Sequence, residues 1–215
     1  MTPESRPIRV LLADDHTVFR EGLKLILEKD LPGTVIGEAQ TAADTLTQVR
    51  SRQWDILVLD LAMPGKSGLE ILLEVKALVP KLRILVLSMY PEGQFAARAL
   101  KAGADGYVSK DVGRAELLSA IRSVLAGKRY VSARFAEIVA EALAGNSEQP
   151  LHAQLSDREF EVMRAIALGR TLTEIARDFS ISPRTVTTYR GRVLKKMEMR
   201  TNADLTRYAV ENVLI

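Results

Sequence analysis

The chain has no cysteine, which excludes disulfides, thiolate zinc sites and a cysteine nucleophile. It has two histidines, His16 and His152, too few for a histidine-based metal centre, and each is expected to be structural. No apolar stretch reaches the roughly 18 residues of a membrane span, so no membrane partner is expected. Residues 1–7 carry no apolar h-region, so a signal peptide is not expected and the cytosol is the default location. Internal repeats and extended low-complexity tracts are also missing. What is present is a globular composition, 47% hydrophobic and 27% charged, in 215 residues. That length is comfortable for two domains, each with its own core.

The net charge of +3 says little until it is located. Residues 151–215 hold 11 Lys/Arg against 8 Asp/Glu, so the whole excess lies in that segment. Within 182–200 six basic residues, Arg184, Arg190, Arg192, Lys195, Lys196 and Arg200, face a single acid, Glu198. Such a stripe is either a footprint for phosphate backbones or a solvated helix face, and charge alone does not separate the two.

To about residue 127 the pattern alternates strand and helix. Strands are expected near 8–13, 34–38, 55–60, 82–88 and 106–109, and helices near 16–29, 41–51, 67–79, 92–102 and 113–126. Repetition of this kind implies a doubly wound, five-stranded parallel sheet with helices on both faces. Asp60 ends the apolar run Ile56-Leu57-Val58-Leu59 and is followed by Leu61-Ala62-Met63-Pro64-Gly65. Asp14 and Asp15 close the first run, Ser88 the fourth, and Lys110 follows the fifth. The carboxyl edge of an open α/β sheet is where ligands bind. Singly, Asp14 or Asp15 could cap a helix, Ser88 a turn, and Lys110 could be a surface lysine. All of them on one edge make a site.

A further helix is expected over 132–144 with Ser132 as its cap, then a break over 145–150. Only helices follow. Ser156-Asp157-Arg158-Glu159 and Thr171-Leu172-Thr173-Glu174 are capping boxes, and Ser182-Pro183 opens a third helix. A fourth is expected over 202–213. The second and third, of about ten residues each, are joined by Ser180-Ile181-Ser182, the helix-turn-helix spacing. At 3.6 periodicity Val186, Tyr189, Val193 and Met197 face the core. Arg184, Thr187, Thr188, Gly191 and Lys195 face away, Arg192 flanks them and Arg190 lies nearer the buried edge. A cationic face with small residues at its centre suits the major groove, with Arg192 and Lys195 on phosphates and Arg184 open.

Both halves match known families. The first resembles the receiver domain of two-component response regulators, on Asp14-Asp15-His16, the Asp60 to Gly65 segment, Leu87-Ser88, and Gly103-Ala104-Asp105-Gly106-Tyr107-Val108-Ser109-Lys110. The second resembles the LuxR-type helix-turn-helix, on Leu155 to Glu159, Glu174-Ile175-Ala176, Ile181 to Val186 and Leu194-Lys195-Lys196-Met197. In this order they resemble a NarL/FixJ-type response regulator. The resemblance implies a flavodoxin-like receiver over 7–127, a helix and linker over 128–152, and a small all-α domain over 153–215. It implies that Asp60 accepts a phosphoryl group from a histidine kinase, with no enzymatic activity beyond that self-catalysed transfer. It places Mg²⁺ on Asp14, Asp15, Asp60 and the Ala62 carbonyl, and gives Ser88, Tyr107 and Lys110 the phosphate-stabilising and switch roles. Double-stranded DNA would meet Thr171, Thr173, Arg184, Thr187, Thr188, Arg190, Gly191, Arg192 and Lys195, bound by a homodimer formed on phosphorylation. The last helix, through Leu205, Ala209 and Val213, is a candidate dimer contact, with packing inside its own domain accounting for part of that stripe.

Several positions depart from the family pattern. Asp111 rather than proline follows Lys110; Leu172-Thr173 replaces a polar pair; Thr187 and Tyr189 stand where lysine and histidine are common. Ala62 and Tyr90, at positions that tune dephosphorylation, carry neither carboxylate nor amide, which implies a long-lived phosphoryl state. An aspartyl-phosphate hydrolase would need an acid at Ala62, and a phosphorylation-independent DNA binder would be expected to have lost the acids or Lys110.

Overall fold

A computed structural model of the chain describes residues 6–63, 66–90, 92–143 and 150–215. The Pro64-Gly65 stop and nearly all of the break expected over 145–150 lie outside the described residues, as does most of the 1–7 segment. The chain divides into two compact units, the second comprising residues 141–215 together with the short 64–67 segment.

The first unit contains β1 (Arg9–Ala13), α1 (Thr17–Asp30), β2 (Val35–Ala39), α2 (Ala42–Ser51), β3 (Ile56–Leu59), α3 (Gly68–Leu78), β4 (Arg83–Ser88), α4 (Glu92–Lys101), β5 (Gly106–Ser109) and α5 (Arg114–Leu125). All strand pairings are parallel, in the order β2-β1-β3-β4-β5. The doubly wound sheet expected from the alternation is therefore present, with strand limits within about one residue of expectation. Val10, Leu12, Ile56, Val58, Leu85, Leu87 and Val108 pack one face against Leu23 and Leu27 of α1 and Leu117, Ile121 and Val124 of α5. Leu11, Leu57, Leu59 and Val86, which alternate to the other face, are as deeply buried. Both faces are thus covered, which explains the unbroken apolar runs.

Register sets the site. Ala13 pairs with Leu59 and Ser88 with Ser109, so Asp14, Asp60, Ser88 and Lys110 emerge together at the carboxyl edge. Beyond α5 the chain returns to the sheet. Tyr130 bridges Gly106, donating its N–H to the Asp105 carbonyl (2.9 Å) and accepting the Tyr107 N–H (3.3 Å). Ser132 then caps α6 (Ala133–Leu143): its Oγ accepts the Phe135 N–H and donates to Glu92 of α4.

The second unit opens with a 3₁₀ turn, Leu151–Gln154, followed by α7 (Asp157–Ala167), α8 (Leu172–Asp178), α9 (Pro183–Lys196) and α10 (Asn202–Glu211). Both expected capping boxes are made, and Ser182 caps α9 ahead of Pro183. A third box, Thr201 with Asp204, escaped the sequence reading because aspartate replaces the usual Glu or Gln. The two central helices have 7 and 14 residues rather than about ten each. Ser180, at φ 53°, makes the turn between them.

α10 stops short of the expected Val213. Leu214 donates its N–H back to the Ala209 carbonyl at 2.8 Å, which forces Val213 into the left-handed region at φ 54°. Leu205 and Ala209 have no exposed surface, so the proposed dimer stripe is corrected: those two side chains fill their own unit's core, and Val213 and Val210 are the exposed ones.

Candidate functional site

Asp14, Asp60 and Lys110 meet directly, and Asp15 lies within 4.8 Å of the two other acids. Lys110 Nζ lies 2.6 Å from Asp60 Oδ2 and 2.7 Å from Asp14 Oδ2, with Asp60 1% exposed and Asp14 6%. The ammonium also stands over the Phe19 ring, 4.7 Å from its centroid. Buried Arg20 anchors the turn that carries the acids, donating to the Asp14 carbonyl at 2.7 Å and pairing with Glu38. Behind Asp60, α3 starts hard against Leu61. A side chain at Gly68 would overlap the Leu61 backbone, so glycine is required there for the loop to close.

Burial pushes the Asp60 carboxyl above its ordinary range, and the nearby Asp14 adds to that. Lys110 and the Ala62 N–H, which donates to Asp60 Oδ1 at 3.0 Å, oppose the rise. The pocket is therefore built around a carboxylate that needs positive charge to stay ionised.

His16 was expected to be structural, yet its Nδ1 lies 3.2 Å from Asp14 Oδ1 and 3.0 Å from Asp15 Oδ1. Its place directly after Asp14-Asp15 was the available signal. His16 is also the N-cap of α1 with no side-chain cap bond, so neither aspartate caps that helix in the ordinary way; Asp14 Oδ1 accepts the His16 N–H instead. Ligand atoms of Asp14, Asp15, His16 and Asp60 all fall within 4.8 Å of one another. Asp15 Oδ1 is buried and makes no hydrogen bond although His16 Nδ1 stands 3.0 Å away, which leaves the oxygen open to a cation. Three carboxylates form a hard donor set, which fits Mg²⁺.

Ser88 ends β4 fully buried, its Oγ accepting the Tyr90 N–H at 3.2 Å. Tyr107 is also fully buried and donates to the Tyr90 carbonyl at 2.8 Å. Its ring is thus already packed inside, and burial holds the phenol protonated far above its ordinary range.

On α9, Val186, Val193 and Met197 are buried and Tyr189 half-buried, while Arg184, Thr187, Thr188, Gly191, Arg192 and Lys195 are exposed, as the helical angle required. The bonds sort the cations further. Arg190 Nε donates to Asn202 at 2.7 Å and Lys196 pairs with Glu159 at 2.6 Å, which ties both to their own unit. Arg184, Arg192, Lys195 and Arg200 have no side-chain partner among the described residues. The Thr171 hydroxyl is engaged in its capping box with Glu174, whereas Thr173 is exposed.

Comparison with known proteins agrees with both units. Residues 10–122 match the response regulator receiver domain, and residues 153–209 match the bacterial regulatory proteins of the luxR family. The response regulator UvrY of Escherichia coli K12 is 36% identical over 210 residues, 96% of this chain and 95% of that protein. The crystal structure of a LuxR-family two-component response regulator from Aurantimonas sp. SI85-9A1 is 37% identical, with a TM-score of 0.60 over 64% of this chain and 99% of that one. RcsB from Salmonella enterica serovar Typhimurium, solved bound to a promoter with a phosphomimetic, is 25% identical, with a TM-score of 0.59 over 94% of this chain and 97% of that one. With its acidic strand-end pocket and its capped helix-turn-helix, the chain belongs to the two-component response regulators that join a receiver domain to a LuxR-type DNA-binding domain.

Proposed function

We propose that the protein is a phosphorylation-controlled transcription regulator in which Asp60 is the phosphoacceptor. The observation that carries this reading is the buried Asp60–Lys110–Asp14 cluster at the carboxyl edge of the sheet. In the transfer, an Asp60 carboxylate oxygen bonds to phosphorus as the P–N bond of a kinase phosphohistidine breaks and its imidazole leaves. Asp14, Asp15, Asp60 and the Ala62 carbonyl would hold a Mg²⁺, which supplies neutralisation of the phosphoryl oxygens' charge. Lys110 exchanges its carboxylate contact for a phosphoryl oxygen, a point charge suited to phosphate. Ser88 follows the new charge, and the Tyr90 backbone, held by both Ser88 and Tyr107, carries the shift outward.

The receiver spans 7–127, the helix and linker 128–152, and the DNA-binding domain 153–215. RcsB solved bound to a promoter in the presence of a phosphomimetic supports control of DNA binding by phosphorylation. A phosphorylated homodimer would place one α9 in the major groove of each half-site. Selection of duplexes from a random pool, with and without acetyl phosphate and Mg²⁺, tests the reading. Enrichment that depends on both reagents and is lost in Asp60→Asn is expected. Equal binding in the two samples, or none in either, overturns it.

A further inference from the structure

The exposed strip of α9 carries two observations that the reading above leaves unused. Thr187 Oγ1 donates to the Pro183 carbonyl at 3.0 Å, and Thr188 Oγ1 to the Arg184 carbonyl at 3.1 Å. Each hydroxyl proton is engaged by the helix itself, so what each threonine offers a partner is a methyl group and an acceptor oxygen. One turn further along the same strip stands Gly191. A Cβ at that position would meet nothing within 4 Å, so no packing within the chain excludes a side chain there. Glycine inside a helix weakens it relative to alanine, so the reason for it lies in something that approaches from outside.

We infer that this strip reads thymine, an inference that rests on the DNA-binding reading above. The C5-methyl groups of the target pack on the Thr187 and Thr188 methyls, and Gly191 leaves the hollow that lets the helix come close enough for them to touch. Guanine, which shows only acceptors in the major groove, finds no free donor on these three residues. Within the strip its readout falls to Arg184, whose side chain has no partner among the described residues.

The test uses the full-length protein with acetyl phosphate and Mg²⁺. Duplexes are selected from a random pool, and each thymine of the selected half-site is then replaced by uracil, which removes only the methyl. One or two thymines per half-site should each weaken binding about fourfold, the loss expected for one buried methyl. Thr187→Ser or Thr188→Ser should show the same loss on thymine DNA and become indifferent to uracil at its own position. The matching Thr→Val variant should bind like wild type. Gly191→Leu should lose at least about tenfold in affinity with a thermal midpoint no lower than that of wild type, because the bulk stands the helix off its groove rather than unfolding it. Wild-type binding that ignores uracil at every thymine overturns the inference, as does a serine variant that binds normally while the valine variant fails. The uracil comparison needs no variant to fold. Absence of any wild-type binding would overturn the DNA reading itself, a result separable from all of these.

Discussion

The two units treat charge in opposite ways. In the first, Asp14, Asp60, Lys110 and Arg20 are buried and each is paired, so the electrostatics are set before any ligand arrives. In the second, Glu159 is spent on a cap and on Lys196, Glu174 and Asp204 on caps, and Arg184, Arg192, Lys195 and Arg200 are left at the surface without side-chain partners among the described residues. A buried, paired site gives chemistry a fixed geometry. Unpaired surface cations give attraction that any backbone phosphate can use and that salt can weaken.

Asp60→Asn breaks the first half of this contrast most completely and should abolish incorporation of phosphate from acetyl phosphate, read by mass spectrometry of the intact protein. Lys110→Met leaves two buried carboxylates facing each other. It should lower the stability of the first unit by about 3 kcal/mol, with Mg²⁺ restoring part of the loss in thermal melts. Equal melting with and without Mg²⁺ would show that the acids do not form a cation site.

Glu159→Gln probes one of the places where the second unit resembles the first, the buried Glu161 with its Arg158 partner being another. Burial raises the Glu159 carboxyl, but the Lys196 ammonium and the Ser156 amide and hydroxyl outweigh it and hold the group below the usual carboxylate range. A depressed folded value means stability that is present above the unfolded pKa and lost as pH falls through the folded one. Wild type should therefore lose stability in that acid range. The variant should be less stable by about 1.5 kcal/mol near neutrality and lack this acid limb. Lys195→Ala should do the reverse of Lys110→Met: it should move stability by less than about 0.5 kcal/mol and flatten the log–log salt dependence of DNA binding by about one. The contrast also extends in time. With neither a carboxylate nor an amide at Ala62 and Tyr90 to position a water, the phosphoryl group on Asp60 should persist, and a half-life of a few seconds would refute that.

Strand ends and helix caps could be read in the sequence because their signals are local. An apolar run closed by an acid announces Asp60, and Ser, Thr and Glu at fixed offsets announce the caps. Partnership across the fold could not be read in this way. The angle around α9 separated Arg190 from Lys195 but not the tie to Asn202, twelve residues on. Lys196 looked like part of a phosphate-facing stripe until Glu159, 37 residues back, was found beside it. Val213 leaves its helix through backbone geometry that composition does not encode.

The short bridge between Tyr130 and Gly106 bears on how copies of the protein can meet. A parallel sheet leaves ladder groups open at its outer strands, and such groups invite pairing with another chain. At β5 the Tyr107 amide and the Asp105 carbonyl are already taken by Tyr130. The start of that strand is therefore closed to a second sheet. A second sheet is barred from that stretch, so anything that docks beside the start of β5 has to be recognised by side chains rather than by ladder hydrogen bonds.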